Sequence, residues 1–376
     1  MKVILTRTNP VSPEPPVEKI AAELVALGHE VTVIGWGRET GNCREQIVKV
    51  SSTTSYRVVR VGRQAKYGIG LKNLLPYFGF LSCLWAWLYS NRREIEIIHA
   101  FDFDTGWLVS IFASFFKKKM VYHILDYYSD THFTNRPKLR KLIAWFENKV
   151  INNADCTIIC SEKRKKQIAG STPRNLLVIH NTPSFFPKDQ KIIKCSSSRL
   201  RIVYVGVLVQ NRLIEDLLEF VANHPKFEIH IAGFGALEPY IRNYSEKNDN
   251  IFFYGKLSYD VALALEQQCD IMTALYDPSV PNHKYAAPNK FYEAMYLGKP
   301  LIVVQDTAID QYVHEYDLGE VIRYTKEDLN KALLSLASRS KEWQDIGKRA
   351  RCLYDRQFSW DTMALRIKKL YTSFEK

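Results

Sequence analysis

The chain has 376 residues, of which 46% are hydrophobic and 24% charged, a composition typical of a globular protein with a substantial core. Its formal charge of +12 lies in the first half, because residues 1–198 contain 29 Lys and Arg against 16 Asp and Glu. This excess predicts an anionic partner, either a membrane surface or phosphates. Nucleic acid is disfavoured, since no recognition-helix, zinc or RNA-binding signature accompanies the charge.

The seven cysteines are an odd number, and the one close pair, Cys156 and Cys160, lacks a second cluster that would complete a zinc site. We expect buried free thiols in a reducing compartment. The run from Met1 to Leu5, apolar except for Lys2, is followed at once by polar residues and is too short for a signal peptide. The sequence therefore predicts a cytosolic protein.

The first half reads as a doubly wound βα series. Residues 3–5 and 31–34 predict buried strands around a helix at 17–27. No G-x-G-x-x-G follows the first strand, so a dinucleotide site is disfavoured there. Further short strands are predicted at 95–99, 120–123 and 157–160.

Residues 73–90 form the most apolar segment of the chain. It is consistent with a buried helix, a helix lying in a membrane interface, or a true span. Trp85 and Trp87, followed by Arg92 and Arg93, favour the interface over the span. Basic runs at 117–119, 136–141 and 163–166 are either solvated surface or a cationic rim against anionic lipid.

The polar, serine-rich residues 187–199 predict a linker, followed by a second βα series. We expect a first domain at 1–190, a second at 191–356, and a C-terminal helix at 357–376 that packs at the domain junction. Ligands of such sheets bind beyond the carboxyl ends of the strands. In the second half these ends lie around Gly206, Gly233, Gly255 and Asp277.

Residues 288–304 predict a short helix followed by a buried strand. Pro288 suits the first helical position, and Gly298 suits the end. Two alanines precede Pro288, so no side chain caps the helix start, and its free N–H groups can bind a phosphate. Alternatively, water caps the helix, and Lys290 with Glu293 is a surface ion pair.

With both halves laid out, the chain resembles the GT-B glycosyltransferases, most closely the retaining family 4 group. The resemblance implies two Rossmann-like domains facing across a cleft, with an acceptor bound by the first and a nucleotide-sugar donor bound by the second. It implies neither a metal nor another cofactor. The fragments that carry it are residues 9–19, 28–33, 99–105, 204–206, 231–235 and 288–300.

By this resemblance, Glu293 binds the ribose hydroxyls of the donor. Arg212 takes the place of a lysine that contacts the donor diphosphate, and Lys290 reaches the same phosphates. Cationic groups there stabilise the charge that develops on the departing diphosphate. The predicted donor site is completed by Gly206, Gly233 and Asn289.

Two residues depart from the family pattern. Val207 stands where the family has an arginine, and Tyr285 stands where it has the glutamate that touches the donor sugar. These departures leave donor-sugar recognition open. They also favour an alternative, a catalytically silent partner of an active glycosyltransferase.

In the first domain, Asp126 follows a predicted strand near the family's His-Asp or His-Glu pair. It is either a residue that orients or deprotonates the acceptor or a structural strand-end aspartate. Leu125 replaces the usual histidine, and His123 lies two residues earlier. The Asp102-x-Asp104 spacing resembles a metal motif of a different fold, and we do not expect a metal there.

Together these features predict retaining transfer of a sugar to a membrane-associated acceptor, a lipid-linked saccharide in surface polysaccharide assembly. The expected location is the inner face of the plasma membrane, with anionic lipid as the partner of the first half. A nicotinamide-dependent oxidoreductase is disfavoured by the missing glycine fingerprint.

Overall fold

A computed structural model describes residues 1–11, 14–39, 44–66, 70–132, 136–184, 191–193 and 198–375. Of the predicted linker at 187–199, only 191–193 and 198–199 lie among them. The chain forms two compact units, Met1–His180 with Met363–Lys376, and Asn181–Thr362. Among the described residues, no helix combines the length and the apolar character needed to cross a membrane.

The first unit contains one large sheet and the helices that cover it. Its strands are β1 (Lys2–Thr6), β2 (Glu30–Trp36), β3 (Arg44–Lys49), β4 (Ser55–Val61), β5 (Ile97–Phe101), β6 (Lys119–Ile124), β7 (Cys156–Ile159) and β8 (Leu176–Val178). Its helices are α1 (Pro15–Ala26), α2 (Leu74–Ser90), α3 (Asp102–Phe116), α4 (Tyr128–His132), α5 (Pro137–Asn153), α6 (Arg164–Gln167) and, from Met363 onward, α14 (Trp360–Phe374). A 3-10 turn, Gly70–Asn73, leads into α2.

The strand order is β3-β4-β2-β1-β5-β6-β7-β8, and β3 alone among these strands is antiparallel to its neighbour. The strands predicted in this half and the helix after β1 are confirmed. Their continuous apolar runs are buried, as in β5, because a parallel sheet is covered on both faces. The pairing of β3 with β4 was not predicted. The order of the strands reverses between β1 and β5, which makes this the switch point of the sheet.

Helix α2 is one of several helices packed on this sheet. It buries Phe80, Leu84 and Leu88 in the core, while Leu75 and Phe78 on its other side are exposed. The segment at 73–90 is therefore a helix of the first unit with one buried face.

The second unit has a smaller, all-parallel sheet. Its strands are β9 (Leu200–Val207), β10 (Phe227–Phe234), β11 (Ile251–Phe253), β12 (Ile271–Ala274), β13 (Leu301–Val304) and β14 (Gly319–Ile322). Its helices are α7 (Ile214–Asn223), α8 (Glu238–Lys247), α9 (Tyr259–Gln267), α10 (Asn289–Leu297), α11 (Asp310–Glu315), α12 (Lys326–Ser338) and α13 (Trp343–Leu353). Short turns of 3-10 or π-helix cover Pro281–Tyr285, Ser340–Glu342 and Tyr354–Phe358.

The order β11-β10-β9-β12-β13-β14 is that of a Rossmann sheet, with its switch point between β9 and β12. The predicted second βα series is confirmed, and so is the buried strand expected after the helix within residues 288–304, which is β13. The last helix, expected within residues 357–376, is α14. Helix α10 begins at Asn289, so Pro288 occupies the capping position instead of the first helical one. The doubly wound α/β prediction is thus confirmed for both units.

Five cysteines lie among the described residues, and all are free. Cys156, Cys160 and Cys269 are buried as expected, but Cys83 and Cys352 are exposed, so the prediction of burial is wrong for these two. Their helices, α2 and α13, each present one face to solvent. Cys43 and Cys195 lie outside the described residues.

Candidate functional site

Two glycines mark the strand ends beside the switch point of the second unit. Gly206 in β9 and Gly233 in β10 are paired in register, and both have φ of 150°, a backbone conformation that side chains disfavour. A Cβ at Gly233 would lie 1.8 Å from the Gly206 carbonyl oxygen. A Cβ at Gly206 would lie 2.6 Å from the Nζ of Lys290. Gly206 therefore leaves room for the ammonium group of Lys290, and Gly233 leaves room for the carbonyl group of Gly206.

Lys290 lies in the first turn of α10 and is buried, with 8% of its surface exposed. Its Nζ is 4.7 Å from the ring centroid of Tyr204 and 5.8 Å from that of Tyr276. Burial acts to lower the pKa of Lys290, but interactions with Tyr276, Tyr204 and Glu293 outweigh it and raise the pKa above the ordinary value. Lys290 is therefore a buried cation at neutral pH.

A second cation, Arg212, shares the Tyr276 ring with Lys290. The guanidinium carbon lies 4.1 Å from the centroid of that ring. Nδ1 of His283 donates to the Asp277 carbonyl oxygen at 2.8 Å, which leaves its Nε2 to accept from Nη1 of Arg212 at 3.0 Å. His283 thus holds Arg212 without neutralising its charge.

Glu293 is one helical turn after Lys290 and is also buried, with 5% of its surface exposed. The interpretation of Lys290 and Glu293 as a surface ion pair is therefore wrong. Glu293 interacts with Tyr259 and Glu266 of the neighbouring helix α9. Burial, together with the nearby Glu293, raises the pKa of Glu266 well above its usual range.

The start of α10 carries no side-chain cap, as the sequence predicts. Asn289, the first helical residue, is half-buried, and so is Tyr285, which ends the 3-10 turn before it. Gly298 closes the helix with φ of 65°, in the left-handed conformation. The helix therefore offers free N–H groups at one end of the second unit.

The structure brings Gly206, Gly233, Arg212, Lys290 and Glu293 into this one unit. It adds contacts that were not predicted for Tyr204, Tyr276, His283, Tyr259 and Glu266. Tyr204 lies within a fragment that carries the family resemblance, but His283, Tyr259 and Glu266 had no sequence signal. Their roles follow from neighbours that lie far away along the chain.

At the switch point of the first unit, Asp102 is the central residue. It has φ of 57° and lies in the first turn of α3. Its Oδ1 accepts from the backbone N–H of Leu125 at 2.7 Å and of Asp126 at 3.0 Å, and its Oδ2 accepts from Arg7 at 2.9 Å. Burial, partly offset by Arg7, raises its pKa to about 6. Asp102 therefore fixes the backbone on which Asp126 is placed.

The side chain of Asp126 is 57% exposed, and its Oδ1 lies 3.6 Å from the Nη2 of Arg164. His123 is buried within β6, with Nδ1 3.2 Å from His99, and burial lowers its pKa well below the ordinary value. His123 is therefore a neutral core residue.

Asp104, the second carboxylate of the Asp102-x-Asp104 pair, accepts from the hydroxyl of Thr8 at 3.1 Å. Among the described residues, no group of three or more His, Cys, Asp or Glu side chains is placed to hold a metal ion. Asp102 and Asp104 are thus engaged by protein donors.

The residues predicted to contact a membrane lie on α2 and just after it. Trp85 and Trp87 are half-buried and pack against the core, and Trp85 meets Phe112 edge to face at 5.2 Å. Arg92 stacks on the Tyr89 ring at 4.0 Å, and Arg93 is exposed. The two tryptophans therefore contribute to the core of the first unit.

Comparisons with known proteins agree with this arrangement. Residues 13–182 match the model of a glycosyl transferase 4-like domain, and residues 186–352 match that of the glycosyl transferases group 1. An uncharacterized glycosyltransferase of Methanocaldococcus jannaschii is 20% identical over 308 residues, which is 76% of each chain.

Two solved structures show the same architecture. Sucrose-phosphate synthase from Thermosynechococcus elongatus superposes with a TM-score of 0.80 at 17% identity, over 99% of this chain and 98% of the other. Anabaena HepE, in complex with UDP-glucose, superposes with a TM-score of 0.71 at 14% identity, over 99% and 100%. At such identities the likeness concerns the fold alone.

Proposed function

Since the chain belongs to the family 4 glycosyltransferases and uses a nucleotide-sugar donor, we propose that its second unit binds a nucleoside diphosphate sugar and its first unit a membrane-associated acceptor. The observation that carries this proposal is the placement of Lys290 and Arg212. Both cations lie against the Tyr276 ring, close to the strand ends that carry Gly206 and Gly233. Among the described residues, neither cation forms an ion pair with a carboxylate. Such cations favour a diphosphate.

In this proposal Lys290, Arg212 and the N–H groups at Asn289 contact the diphosphate. Gly206 and Gly233 let it approach the backbone, and the Glu293 carboxylate accepts hydrogen bonds from the ribose hydroxyls. Tyr285 lies beside the donor sugar, where the family has a glutamate. We take UDP-glucose, the ligand of HepE, as the first donor to test.

The proposed reaction retains the configuration of the sugar and uses no protein nucleophile. The bond between C1 and the β-phosphate oxygen breaks with its electron pair on the phosphate, and the acceptor oxygen bonds to C1. The acceptor proton ends on the departing diphosphate, while Asp126 orients the acceptor hydroxyl. Positive charge at Lys290 and Arg212 stabilises the leaving group.

We propose a lipid-linked saccharide as the acceptor, in the assembly of a surface polysaccharide at the inner face of the plasma membrane. The support is the excess of Lys and Arg in residues 1–198 and the exposed apolar side chains of the first unit, such as Leu75, Phe78 and Phe115. An anionic bilayer attracts such a surface.

A thermal-shift screen with UDP-, GDP-, dTDP- and CMP-sugars tests the donor, because a ligand that binds only the folded state raises the melting temperature. We expect the nucleotide-sugars of one nucleobase to raise the melting temperature of the wild type. We also expect the purified protein to hydrolyse that donor slowly. Glu293→Ala should lose both effects, while Glu246→Ala, which removes an exposed glutamate of α8, should keep them. A wild type that no nucleotide-sugar shifts would contradict the proposal.

A further inference from the structure

Helix α5 of the first unit presents an outer face made of Lys138, Lys141, Leu142, Trp145, Phe146 and Lys149. Its three apolar side chains are 51%, 53% and 46% exposed, respectively. The Trp145 and Phe146 rings meet edge to face at 4.9 Å, and Nζ of Lys149 lies 5.3 Å from the Trp145 ring. A helix at a membrane interface combines aromatic, leucine and lysine side chains in this way.

The charge of the outer face has one sign. Lys138, Lys141 and Lys149 are all exposed, and the one acidic residue of α5, Glu147, is fully buried. The neighbouring helix α3 adds exposed apolar side chains, Ile111 at 54% and Phe115 at 75%, and ends at the exposed Lys117. The surface is therefore apolar at its centre and cationic around it.

The inner side of α5 holds the segment that follows Asp126. The Glu147 carboxylate accepts from the Tyr122 hydroxyl at 2.9 Å and from the backbone N–H of Tyr128 at 3.2 Å. The Tyr127 hydroxyl donates to Asn148 at 3.0 Å. One helix therefore connects the outer face to the strand end that carries Asp126.

We propose that the outer face of α5 docks on an anionic lipid bilayer and thereby brings the Asp126 end of the first unit to a lipid-linked acceptor. The role of this contact in reaching an acceptor rests on the proposed function. Its location rests on the α5 side chains. It places the contact on α5 instead of on Trp85 and Trp87, which pack against the core.

A second copy of the chain is a poorer occupant of this surface. A two-fold interface pairs a patch with itself, so the lysines of one outer face would meet those of the other. No exposed carboxylate on α5 would balance them. Anionic lipid headgroups supply the missing negative charge, and the acyl region receives Leu142, Trp145 and Phe146.

Flotation with vesicles of phosphatidylcholine, with and without phosphatidylglycerol, tests this contact. The wild type should float with the anionic vesicles only, and less at high salt. A lysine near an anionic surface contributes roughly a fivefold factor, so the triple variant K138Q/K141Q/K149Q should bind about 100-fold more weakly. The variant W145S/F146S should bind the anionic vesicles at least about tenfold more weakly, because two large apolar side chains that transfer from water into the bilayer are missing.

Two matched variants serve as controls. K163Q/K165Q/K166Q removes three charges from the neighbourhood of α6 in the same unit, and Leu365→Ser removes an exposed leucine of α14. Both should bind the anionic vesicles with an affinity within about twofold of the wild type, apart from the small loss of affinity expected from any decrease in net positive charge. Equal losses of vesicle affinity in the control and α5 variants would overturn the inference, and so would binding of the wild type to neutral vesicles. It would also be overturned if the α5 substitutions dissociated a dimer but left flotation unchanged.

Donor hydrolysis and the nucleotide-induced thermal shift separate this inference from the proposed function. The α5 variants should retain both, since α5 belongs to the first unit and the donor site to the second. A wild type that hydrolyses its donor but never floats would refute the docking surface and the membrane-associated acceptor, and would leave the donor-dependent transferase standing. A wild type that floats but neither binds nor hydrolyses any nucleotide-sugar would refute the proposed function and leave the docking surface standing.

Discussion

The two switch points of this protein share a topology but differ in how their cations are balanced. In the first unit, Arg7 pairs with Asp102 at 2.9 Å and Glu14 at 3.1 Å. In the second, Lys290 and Arg212 lie against tyrosine rings, and neither forms an ion pair with a carboxylate among the described residues. Arg7 is therefore balanced by carboxylates of the same unit, whereas cations without a carboxylate partner attract an anion. The strand order around the two switch points is the same, but the charges beside them differ.

Removing the buried cation of the second unit should have the largest effect. Lys290→Met keeps the length of the side chain but not its charge, so the departing diphosphate loses a preorganised partner. We expect kcat/KM for transfer to fall by about 10²–10³ without unfolding, because a site of this kind owes about 3–4 kcal/mol to one such donor. Steady-state kinetics with the donor from the screen measure this.

Lys299→Met, just beyond the same helix, is the matched control, because Lys299 interacts with Asp270 and not with the two tyrosines. The prediction would be contradicted if kcat/KM fell by less than about tenfold for Lys290→Met, or by an equal factor for Lys299→Met. The proposed difference between the two switch points would then have no support.

The pH dependence of stability should reveal the paired site of the first unit. The pKa of Asp102 is raised from 3.8 to about 6, so between these values the folded chain holds more protons than the unfolded chain. The contribution of Asp102 to stability is therefore greatest below about pH 4, declines toward pH 6 and is constant above. At about 1.4 kcal/mol per pKa unit, the decline is on the order of 3 kcal/mol.

Urea unfolding of the wild type and of Asp102→Asn from about pH 4 to 7.5 checks this, because the other titrating groups largely cancel in the difference. The wild type should lose stability relative to the variant as pH rises through the window. A difference that is flat or of opposite sign would show that Arg7 neutralises Asp102 more fully than burial opposes it.

Gly206→Ala tests the space behind Lys290. The substitution forces a side chain onto φ of 150° and displaces the ammonium group, since the new Cβ would lie 2.6 Å from Nζ. We expect a loss of about 1–3 kcal/mol in the free energy of unfolding and roughly tenfold weaker nucleotide binding. Gly255→Ala also places an alanine at a positive φ of 66°, but there the new Cβ would have no neighbouring atom within 4 Å. This control should lose stability and keep its nucleotide affinity, as measured by calorimetry.

The smallest expected effect concerns His283. His283→Leu removes the acceptor that orients Arg212 and should weaken binding of the nucleoside diphosphate by about fivefold, or about 1 kcal/mol. His283→Asn, whose amide oxygen can accept from Arg212, should recover part of the affinity, and His314→Leu on α11 should leave it unchanged. Titration calorimetry with UDP measures all three. Identical losses in Leu and Asn variants would assign His283 a packing role.

Much of the fold could be read from the sequence. Buried parallel strands are short, continuous apolar runs, so β1, β2, β6 and β13 were evident. The pairing of β3 with β4 was not, because Arg44–Lys49 is mostly polar and gains its place only from a neighbouring strand.

The site was predictable in part. Lys290 and Glu293 stand in a fragment with a family resemblance, and their spacing puts them one turn apart. Their burial was not predictable, since residues three apart on a short helix are as often exposed. The environment of Trp85 and Trp87 was not predictable either, because a hydrophobic helix can bury its aromatic residues or expose them depending on what packs against it.

The sequence by itself determined the two doubly wound units, a helix between Pro288 and Gly298 and the basic character of the first half, since each depends on periodicity, end signals or composition. The tertiary structure decided which charges are paired. Arg7 meets Asp102 and Arg212 meets His283 across 95 and 71 residues of chain, respectively. Electrostatic balance depends on distances of a few ångströms and on burial, and neither is fixed until the strands are aligned.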